Sequence, residues 1–248
     1  MMLELTNLNV NAAGYLILQN ISFQLEPHRI TVLLGKNGSG KSTLIKCINC
    51  LQHFSGSITL DGIPLTRIPS SQKAKRIACF PQALPDTPLT VGQLTALGRN
   101  PYTGITGRLA ENDHSAIDTA LSQTDMTAMS SRAVNTLSGG EKQRAYLAML
   151  LAQDSDILLM DEPASYLDTD ARRELYNLIK ALVQNHQKTL LIVMHDLGEA
   201  VTIADNILLL EHGKLLFHGT KEHCLSCDIL EKSFHVKRYI ADDRIFFA

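Results

Sequence analysis

A glycine-rich stretch carries the most specific chemical pattern in the sequence: Gly35-Lys36-Asn37-Gly38-Ser39-Gly40-Lys41-Ser42. It matches G-x-x-x-x-G-K-[ST], and it follows an apolar segment and opens a helical one, as this pattern requires. Glycines let the backbone wrap around phosphates, and the positive end of the following helix dipole adds to the attraction. The Lys41 ammonium would reach the β- and γ-phosphates, and the Ser42 hydroxyl would ligate Mg²⁺. The alternative is a glycine-rich turn that binds nothing.

Two acids, Asp161 and Glu162, follow an apolar run at residues 157–160. Such a run is typical of a buried parallel strand, and ligands bind at the carboxyl ends of these strands. We predict that Asp161 holds the Mg²⁺ shell through water and that Glu162 is the general base for the attacking water. Two acids after a strand can equally cap a helix, but the phosphate-binding pattern favours chemistry.

A second anion-binding nest is indicated by Ser138, Gly139 and Gly140 at the start of a predicted helix. One domain has little use for two phosphate nests, whereas two copies arranged head to tail could each close over the nucleotide of the other. An ordinary helix N-cap is the alternative. His195, at the end of a predicted strand, is a candidate γ-phosphate sensor, although a histidine there is more often a satisfied core residue.

Alternation of strands and helices predicts an α/β fold with a P-loop NTPase core. Residues 3–10 and 21–25 alternate apolar and polar side chains, as an N-terminal antiparallel β element would. The later strands alternate with helices, which indicates a mostly parallel sheet covered on both faces. The further predicted strands are 29–34, 57–60, 77–80, 157–160, 189–194 and 206–211, and the predicted helices are 41–51, 172–185 and 198–204.

The prolines at 85, 88 and 101 mark a change of character. From 82 to 154 the pattern is helical without convincing strands, which predicts a helical subdomain inserted into the core. We therefore predict a single domain over 1–248, with core segments 1–81 and 155–220 and a C-terminal tail at 221–248.

Composition excludes several classes of protein. The chain has 23 basic and 25 acidic residues, a net charge of −2, so it lacks the broad basic surface of a nucleic-acid binder, and we expect no nucleic-acid partner. No apolar run approaches the roughly 20 residues of a membrane span, and the N-terminus lacks the pattern of a signal peptide, so we expect a cytosolic chain.

Two C-x-x-C pairs, Cys47 with Cys50 and Cys224 with Cys227, would suit a zinc site if the fold joined them. Packing is the stronger interpretation, because cysteine behaves as a small hydrophobe and the first pair has helical spacing.

Taken together, these motifs resemble the ATP-binding subunits of ABC transporters over the whole chain. The resemblance implies that residues 35–43, which include Thr43, form the Walker A loop and that 157–162 form the Walker B strand. It implies that residues 137–143 are the ABC signature. In that family ATP and Mg²⁺ are bound between the Walker A loop of one subunit and the signature of its partner, so the resemblance implies a homodimer with two ATP sites.

The same resemblance assigns further contacts with nucleotide. It implies that Gln82 is the Q-loop glutamine, which also reaches the metal, that Asp168 belongs to the D-loop, and that His195 is the switch histidine. The family usually stacks an aromatic ring on adenine. Ala12 occupies that position here, so we predict that Tyr15, three residues later, takes over the contact, the alternative being that its ring packs on the strands.

Within the family, residues 98–102 and 195–197 are similar to the ATPases of iron–siderophore, haem and cobalamin importers. The resemblance implies membrane permease partners, an indirect link to a substrate-binding protein, and a peripheral position at the cytoplasmic face of the inner membrane. Other readings are an exporter or another importer class, or a soluble ABC ATPase acting in translation or DNA repair. A P-loop kinase would leave the Ser138 nest and His195 unexplained.

Overall fold

The computed structural model describes residues 1–12, 14–80, 83–104, 107–165, 167–241 and 244–248. It divides into two compact units, one formed by Met1–Ile68 with Val183–Ala248 and the other by Pro69–Leu182. The segment predicted as a helical subdomain, 82–154, falls inside the second unit, which also contains two strands. The assignment of one domain with that insert remains a prediction.

Strands and helices alternate along most of the chain. The strands are β1 (Leu3–Ala12), β2 (Tyr15–Leu25), β3 (Ile30–Leu34), β4 (Ser55–Leu60), β5 (Ile63–Pro64), β6 (Ile77–Phe80), β7 (Ile157–Asp161), β8 (Thr189–Val193), β9 (Asn206–Glu211), β10 (Lys214–Thr220), β11 (Arg238–Ala241) and β12 (Arg244–Phe247). The helices are α1 (Lys41–Ile48), α2 (Ser70–Ala74), α3 (Val91–Leu97), α4 (Asn100–Thr103), α5 (Glu111–Gln123), α6 (Gly139–Ala152), α7 (Thr169–His186), α8 (Leu197–Ile203), α9 (Lys221–Ser226) and α10 (Ile229–Phe234).

The first unit contains the antiparallel element predicted from the alternating sequence. β1 pairs with β2 and with β4, each antiparallel, and β5 extends this sheet at the β4 edge. Leu3, Leu5, Leu8 and Val10 of β1 are fully buried or nearly so. Full burial of a leucine contributes about 1.5–3 kcal/mol, so this face fixes the register.

A second sheet in the same unit is built around β3, all five of whose residues are buried. β3 runs parallel to β8 and to β9, while β10 pairs antiparallel with β9. The strand β10 is absent from the sequence prediction. Its turn, His212-Gly213, has φ of 46° and 74°, the pair of positive angles that a two-residue hairpin requires.

The second unit combines a parallel pair, β6 and β7, with helices. Among the described residues of 82–154 the regular elements are helical, namely α3 to α6 with short 3₁₀ turns at Thr127–Met129 and Val134–Thr136. The Thr90 hydroxyl caps α3 by accepting a hydrogen bond from the Gln93 amide, and the Thr90 amide in turn donates to the Gln93 side-chain oxygen. The predicted α/β class, with a largely parallel sheet and an antiparallel element, is confirmed.

Candidate nucleotide site

The glycine-rich loop connects the carboxyl end of β3 to the first turn of α1. Gly40, at the N-cap of α1, has φ of 106°, and a Cβ atom there would lie 2.6 Å from Leu18 Cδ2. A Cβ atom at Gly35 would lie 2.3 Å from the Leu210 carbonyl oxygen. Both positions therefore need glycine, and the backbone between them is free to curve around an anion.

Lys41 lies in this loop with only 6% of its surface exposed. Its Nζ donates to the carbonyl oxygens of Gly35 at 2.7 Å and Lys36 at 3.2 Å, so the ammonium is held inside the curve of the backbone. The Ser39 hydroxyl is buried and has no hydrogen-bond partner among the described residues. A buried ammonium, an unsatisfied hydroxyl and the first-turn amides of a helix fit a polyphosphate.

His195 leaves the sheet at the same edge as this loop. Leu33 of β3 pairs with Val193 of β8 in a parallel register, so the two chains pass this edge two residues before Gly35 and His195. The His195 side chain is exposed there. The structure thus brings together the glycine-rich loop and the predicted γ-phosphate sensor at one end of parallel strands, where ligands bind in such sheets.

Tyr15 begins β2 and is 78% exposed. Two residues later, the Ile17 carbonyl oxygen lies 3.3 Å from the position of a Cβ atom at Gly40. Since a strand rises about 3.3 Å per residue, Tyr15 lies within about 7 Å along the strand of a residue that touches the loop. Ala12 faces Tyr15 across the hairpin. The alternative in which the Tyr15 ring packs on the strands fits poorly with this exposure.

In the second unit, Asp161 is the buried last residue of β7, and Glu162 follows it. Glu162 has φ of 53°, a left-handed conformation that is uncommon for a residue with a side chain and that concentrates at functional sites. The Ser165 hydroxyl donates to the Glu162 carbonyl oxygen at 2.9 Å and lies 3.2 Å from Glu162 Oε2. The sequence prediction did not include Ser165 as a partner of Glu162, although a serine three residues after the acid is compatible with a turn at this place.

β6 runs parallel to β7, with Phe80 opposite Met160, so the chain leaves both strands at the same edge. The predicted Q-loop residue Gln82 lies outside the described residues. Its proposed contacts with nucleotide and metal stay predictions.

Ser138 forms the N-cap of α6 in a complete capping box. Its hydroxyl accepts a hydrogen bond from the Glu141 amide at 3.3 Å, and its own amide donates to Glu141 Oε2 at 2.7 Å. This amide and the hydroxyl of Ser138 hold the pKa of Glu141 below its ordinary value. The N-cap interpretation is therefore correct for the hydroxyl. Gly139 has open space where a Cβ atom would lie, so a ligand can approach the helix start.

Asp168, the predicted D-loop residue, caps α7, because its Oδ1 accepts a hydrogen bond from the Ala171 amide at 2.9 Å. Asp168, Leu167, Ser138 and Gly140 line a cavity of about 550 Å³ within the second unit. The signature and D-loop segments of the sequence prediction therefore adjoin one cavity.

One cysteine of each C-x-x-C pair packs as the sequence prediction favours, whereas Cys50 is half-buried and Cys227 is exposed. Cys47 and Cys224 are fully buried free thiols, and burial raises the pKa of Cys47 to about 11 and that of Cys224 to about 12. In the parts of the chain that the structure describes, no three His, Cys, Asp or Glu residues are grouped to hold a metal. No described helix is both long and apolar enough to cross a membrane.

A buried strand, a glycine-rich loop closing around a lysine, and a helix that starts at that lysine define a P-loop nucleotide-binding protein. Residues 18–165 match the family model described as ABC transporter. The chain belongs to the ABC transporter family. It binds nucleotide and, like the ATP-binding subunits of this family, is an ATPase.

Curated relatives align over nearly the full length. The chain is 34% identical over 242 residues to a probable siderophore transport system ATP-binding protein, YusV, of Bacillus subtilis (strain 168), covering 96% of this chain and 88% of that protein. It is 32% identical over 240 residues to the ferric enterobactin transport ATP-binding protein FepC of Escherichia coli (strain K12), covering 96% and 89%.

Solved structures share the fold. An inward-facing ABC transporter of the metal-chelate type superposes with a TM-score of 0.83 at 24% identity, covering 99% of this chain and 95% of that one. The dimeric structure of MJ0796, a bacterial ABC transporter cassette, gives 0.77 at 24% identity, covering 88% and 98%.

Proposed function

We propose that this chain is the ATP-hydrolysing subunit that powers an ABC importer for a metal chelate. The first candidate cargo is an iron–siderophore complex, and haem and cobalamin are related candidates. The proposed binding of ATP is supported by Lys41, which is buried inside a loop whose close approaches at Gly35 and Gly40 need glycine. The cargo half is supported by relatives of nearly full coverage named for siderophore, ferric enterobactin and hemin transport.

The roles of the P-loop residues follow from their places in the fold. Backbone amides of residues 35–43 hold the phosphates, and the Lys41 ammonium moves from its carbonyl acceptors to the β- and γ-phosphates. Tyr15 stacks on the adenine. Ser42, Gln82 and Asp161 are the residues that would hold Mg²⁺, which supplies charge neutralisation on the phosphate oxygens.

Glu162 is the general base of the proposed reaction. Its carboxylate accepts a proton from the water that attacks the γ-phosphate, and Ser165 orients that carboxylate. His195 contacts the γ-phosphate from the edge of the sheet at which the P-loop also leaves.

The signature Ser138, Gly139 and Gly140, together with Asp168, close over the nucleotide of a second copy. The exposed start of α6 supports this arrangement, as does the dimeric structure of the MJ0796 cassette, which shares this fold. Such a homodimer, with two ATP sites, would lie at the cytoplasmic face of the inner membrane against a permease. A substrate-binding protein outside the membrane would deliver the cargo to that permease.

Transport in a reconstituted system tests this function. The chain would be co-purified with a candidate permease from the same genome and placed in vesicles with a ferric hydroxamate, a ferric catecholate, haem or cobalamin. We expect ATP-dependent accumulation of one of these, lost in Lys41→Ala. If ATP is hydrolysed but none of the four accumulates, metal-chelate import is wrong while the ATPase assignment stands.

A further inference from the structure

Arg99 lies in the corner between α3 and α4, with only 6% of its surface exposed. Its Nε donates to Asp113 Oδ1 at 2.8 Å, and its Nη1 donates to the Ala152 carbonyl oxygen at 2.7 Å. The central guanidinium carbon lies 3.8 Å from the centre of the Tyr102 ring. A buried ion pair is weak support for stability, because an apolar replacement often does as well. The planar, directed donors of this side chain instead impose a geometry on the groups around it.

The groups around Arg99 belong to three helices. Asp113 lies in the first turn of α5, where its Oδ2 also accepts a hydrogen bond from the Ala110 amide at 2.9 Å. Ala152 is the last residue of α6, so Arg99 satisfies a carbonyl that has no partner within the helix. Tyr102, whose ring covers the guanidinium, donates its hydroxyl to the next carbonyl oxygen, that of Gln153, at 3.1 Å.

The backbone at the end of α3 packs directly against the same turn of α6. A Cβ atom at Gly98 would lie 2.3 Å from the Met149 carbonyl oxygen, so only glycine permits this approach. Together with Arg99 and Tyr102, Gly98 forms what we name the α6 anchor. It holds the last turn of α6 through residues 98–102, the segment whose sequence is similar to the importer ATPases.

The first turn and the middle of α6 are also attached to the segment that precedes the anchor. Lys142 Nζ lies 2.7 Å from Asp86 Oδ1, and the Tyr146 hydroxyl donates to the Pro85 carbonyl oxygen at 2.7 Å. Residues 85–102 therefore hold α6 near both of its ends. The pair of Lys142 with Asp86 is more exposed than the anchor, since the Asp86 side chain is 78% accessible, so the buried anchor is the stronger constraint.

The start of α6 carries Ser138, and a helix transmits a change at one end to the other. Fourteen residues at 1.5 Å each make α6 about 21 Å long, so a tilt of about 10° at the anchor would move Ser138 by about 3.5 Å. Catalytic geometry tolerates far less, because a misplacement of about 1 Å can cost about 10²-fold in rate.

We infer that Arg99 is a positioning residue for ATP hydrolysis, which it controls by fixing the axis of α6 and thereby the place of the signature serine at the nucleotide of the second copy. The inference rests on the proposed role of Ser138. It assigns to Arg99 no contact with nucleotide, and this separates it from a binding residue.

Steady-state kinetics and calorimetry on the purified chain test the inference. Arg99→Met removes both directed hydrogen bonds and keeps an apolar side chain of similar length. We expect kcat for ATP to fall about tenfold or more, while the ATP Kd of the isolated chain stays within about twofold, since the P-loop belongs to the other compact unit. ATP-induced dimerisation in a Glu162→Gln background should weaken in parallel.

Arg238→Met is the matched control. Arg238 pairs with Asp228 and Glu231, each at 3.1 Å, and donates to the Leu225 carbonyl oxygen. The Arg238→Met variant therefore loses a set of contacts comparable to that of Arg99→Met, but in the C-terminal tail. Both variants are assayed well below their melting temperatures. We expect Arg238→Met to keep its kcat within about twofold of the parent, although its melting temperature falls.

Tyr102→Phe keeps the experiment decisive if Arg99→Met does not fold, because it removes only the hydroxyl bond to Gln153. We expect a fall in kcat of about two- to fivefold at unchanged ATP Kd. Unchanged kcat in the folded variants would overturn the inference, and so would an equal loss in Arg238→Met. A parent chain that hydrolyses no ATP would instead overturn the proposed function.

Discussion

Glu162 stands at φ of 53°, next to the buried Asp161, with the Ser165 hydroxyl at its carboxylate. Glutamine has the same shape but cannot accept a proton at this position. We therefore expect Glu162→Gln to bind ATP as the parent does and to hydrolyse it about 10²–10⁴-fold more slowly. Steady-state phosphate release measures the rate, and size-exclusion chromatography with ATP should reveal a lasting dimer.

Glu174→Gln is the control for this change, because Glu174 is an exposed acid on α7 whose ion pair with Arg144 is long, at 3.8 Å. Its rate should match that of the parent. A Glu162→Gln rate within threefold of the parent would remove Glu162 from the role of general base.

The position of Tyr15 near the P-loop leads to a prediction about adenine binding. Its exposed ring starts the strand whose Ile17 touches Gly40 of the P-loop. Stacking of a base on an aromatic ring is worth about 1–3 kcal/mol, so Tyr15→Ala should weaken ATP binding by about 5- to 150-fold. Tyr15→Trp should preserve affinity, since tryptophan also offers a large π-face.

Calorimetry on both Tyr15 variants decides the question, with Tyr239→Ala as a matched loss of an exposed tyrosine from the tail. If Tyr15→Ala binds ATP as tightly as Tyr239→Ala does, the adenine is held by another group and the proposed stacking falls.

At the scale of elements, α6 links a local cap to a proposed contact with a second copy. Ser138→Arg removes the N-cap, which costs about 0.5–2 kcal/mol of stability, and places a long side chain over the open start of the helix. We expect ATP to bind the isolated chain normally while ATP-driven dimerisation in the Glu162→Gln background is lost. Light scattering with and without ATP measures this.

Ser115→Arg, at an exposed site on α5 that does not line the cavity beside Ser138, adds the same side chain and should leave the dimer intact. Persistence of the ATP-bound dimer in Ser138→Arg would contradict the arrangement in which each signature closes over the other copy's nucleotide.

Most elements could be predicted because their signals are local. The buried run of β3 and the glycines that follow it specify a strand, a tight loop and a helix within a few residues. The end of α1 could not be predicted in this way. The predicted helix continued to residue 51, whereas the helix ends at Ile48. Cys50 there adopts φ of 58° in a turn that ordinarily favours glycine, and the Leu51 amide donates back to the Lys46 carbonyl.

Features that depend on contacts between residues far apart in the chain could not be predicted from the sequence. The α6 anchor joins Arg99 to Asp113 and Ala152, which lie 14 and 53 positions away, and no periodicity reports such pairs. The candidate site divides in the same way: the P-loop is a local pattern, whereas the short link from Ser165 to Glu162 and the approach of Ile17 to Gly40 emerge only when the chain is folded.

At the scale of the whole molecule, the residues proposed to carry the chemistry are distributed over both compact units. The P-loop and His195 belong to the first unit, while Asp161, Glu162 and the signature belong to the second. The resemblance to a family was therefore needed to propose one site from motifs that lie in separate units.

Nucleotide binding should appear in the stability of the whole chain. ATP at 100 times its Kd stabilises the folded state by about 2.7 kcal/mol, which for a chain of this size raises the melting temperature by about 5–11 °C. The measurement uses the Glu162→Gln protein with Mg²⁺, so that ATP persists during the scan. Chelation of Mg²⁺ should reduce the rise, because Ser42, Gln82 and Asp161 are proposed to hold the metal beside the phosphates.

Two lysines of α1 supply the matched pair for this prediction. Lys41 is buried in the loop, whereas Lys46 is exposed on the same helix. Lys41→Ala should abolish the rise because the β- and γ-phosphates lose their cation, and Lys46→Ala should retain it in full. The melt of each variant without ATP separates loss of binding from loss of folding. An equal rise in Lys41→Ala and Lys46→Ala would mean that ATP binds elsewhere, and the P-loop assignment would be wrong for this chain.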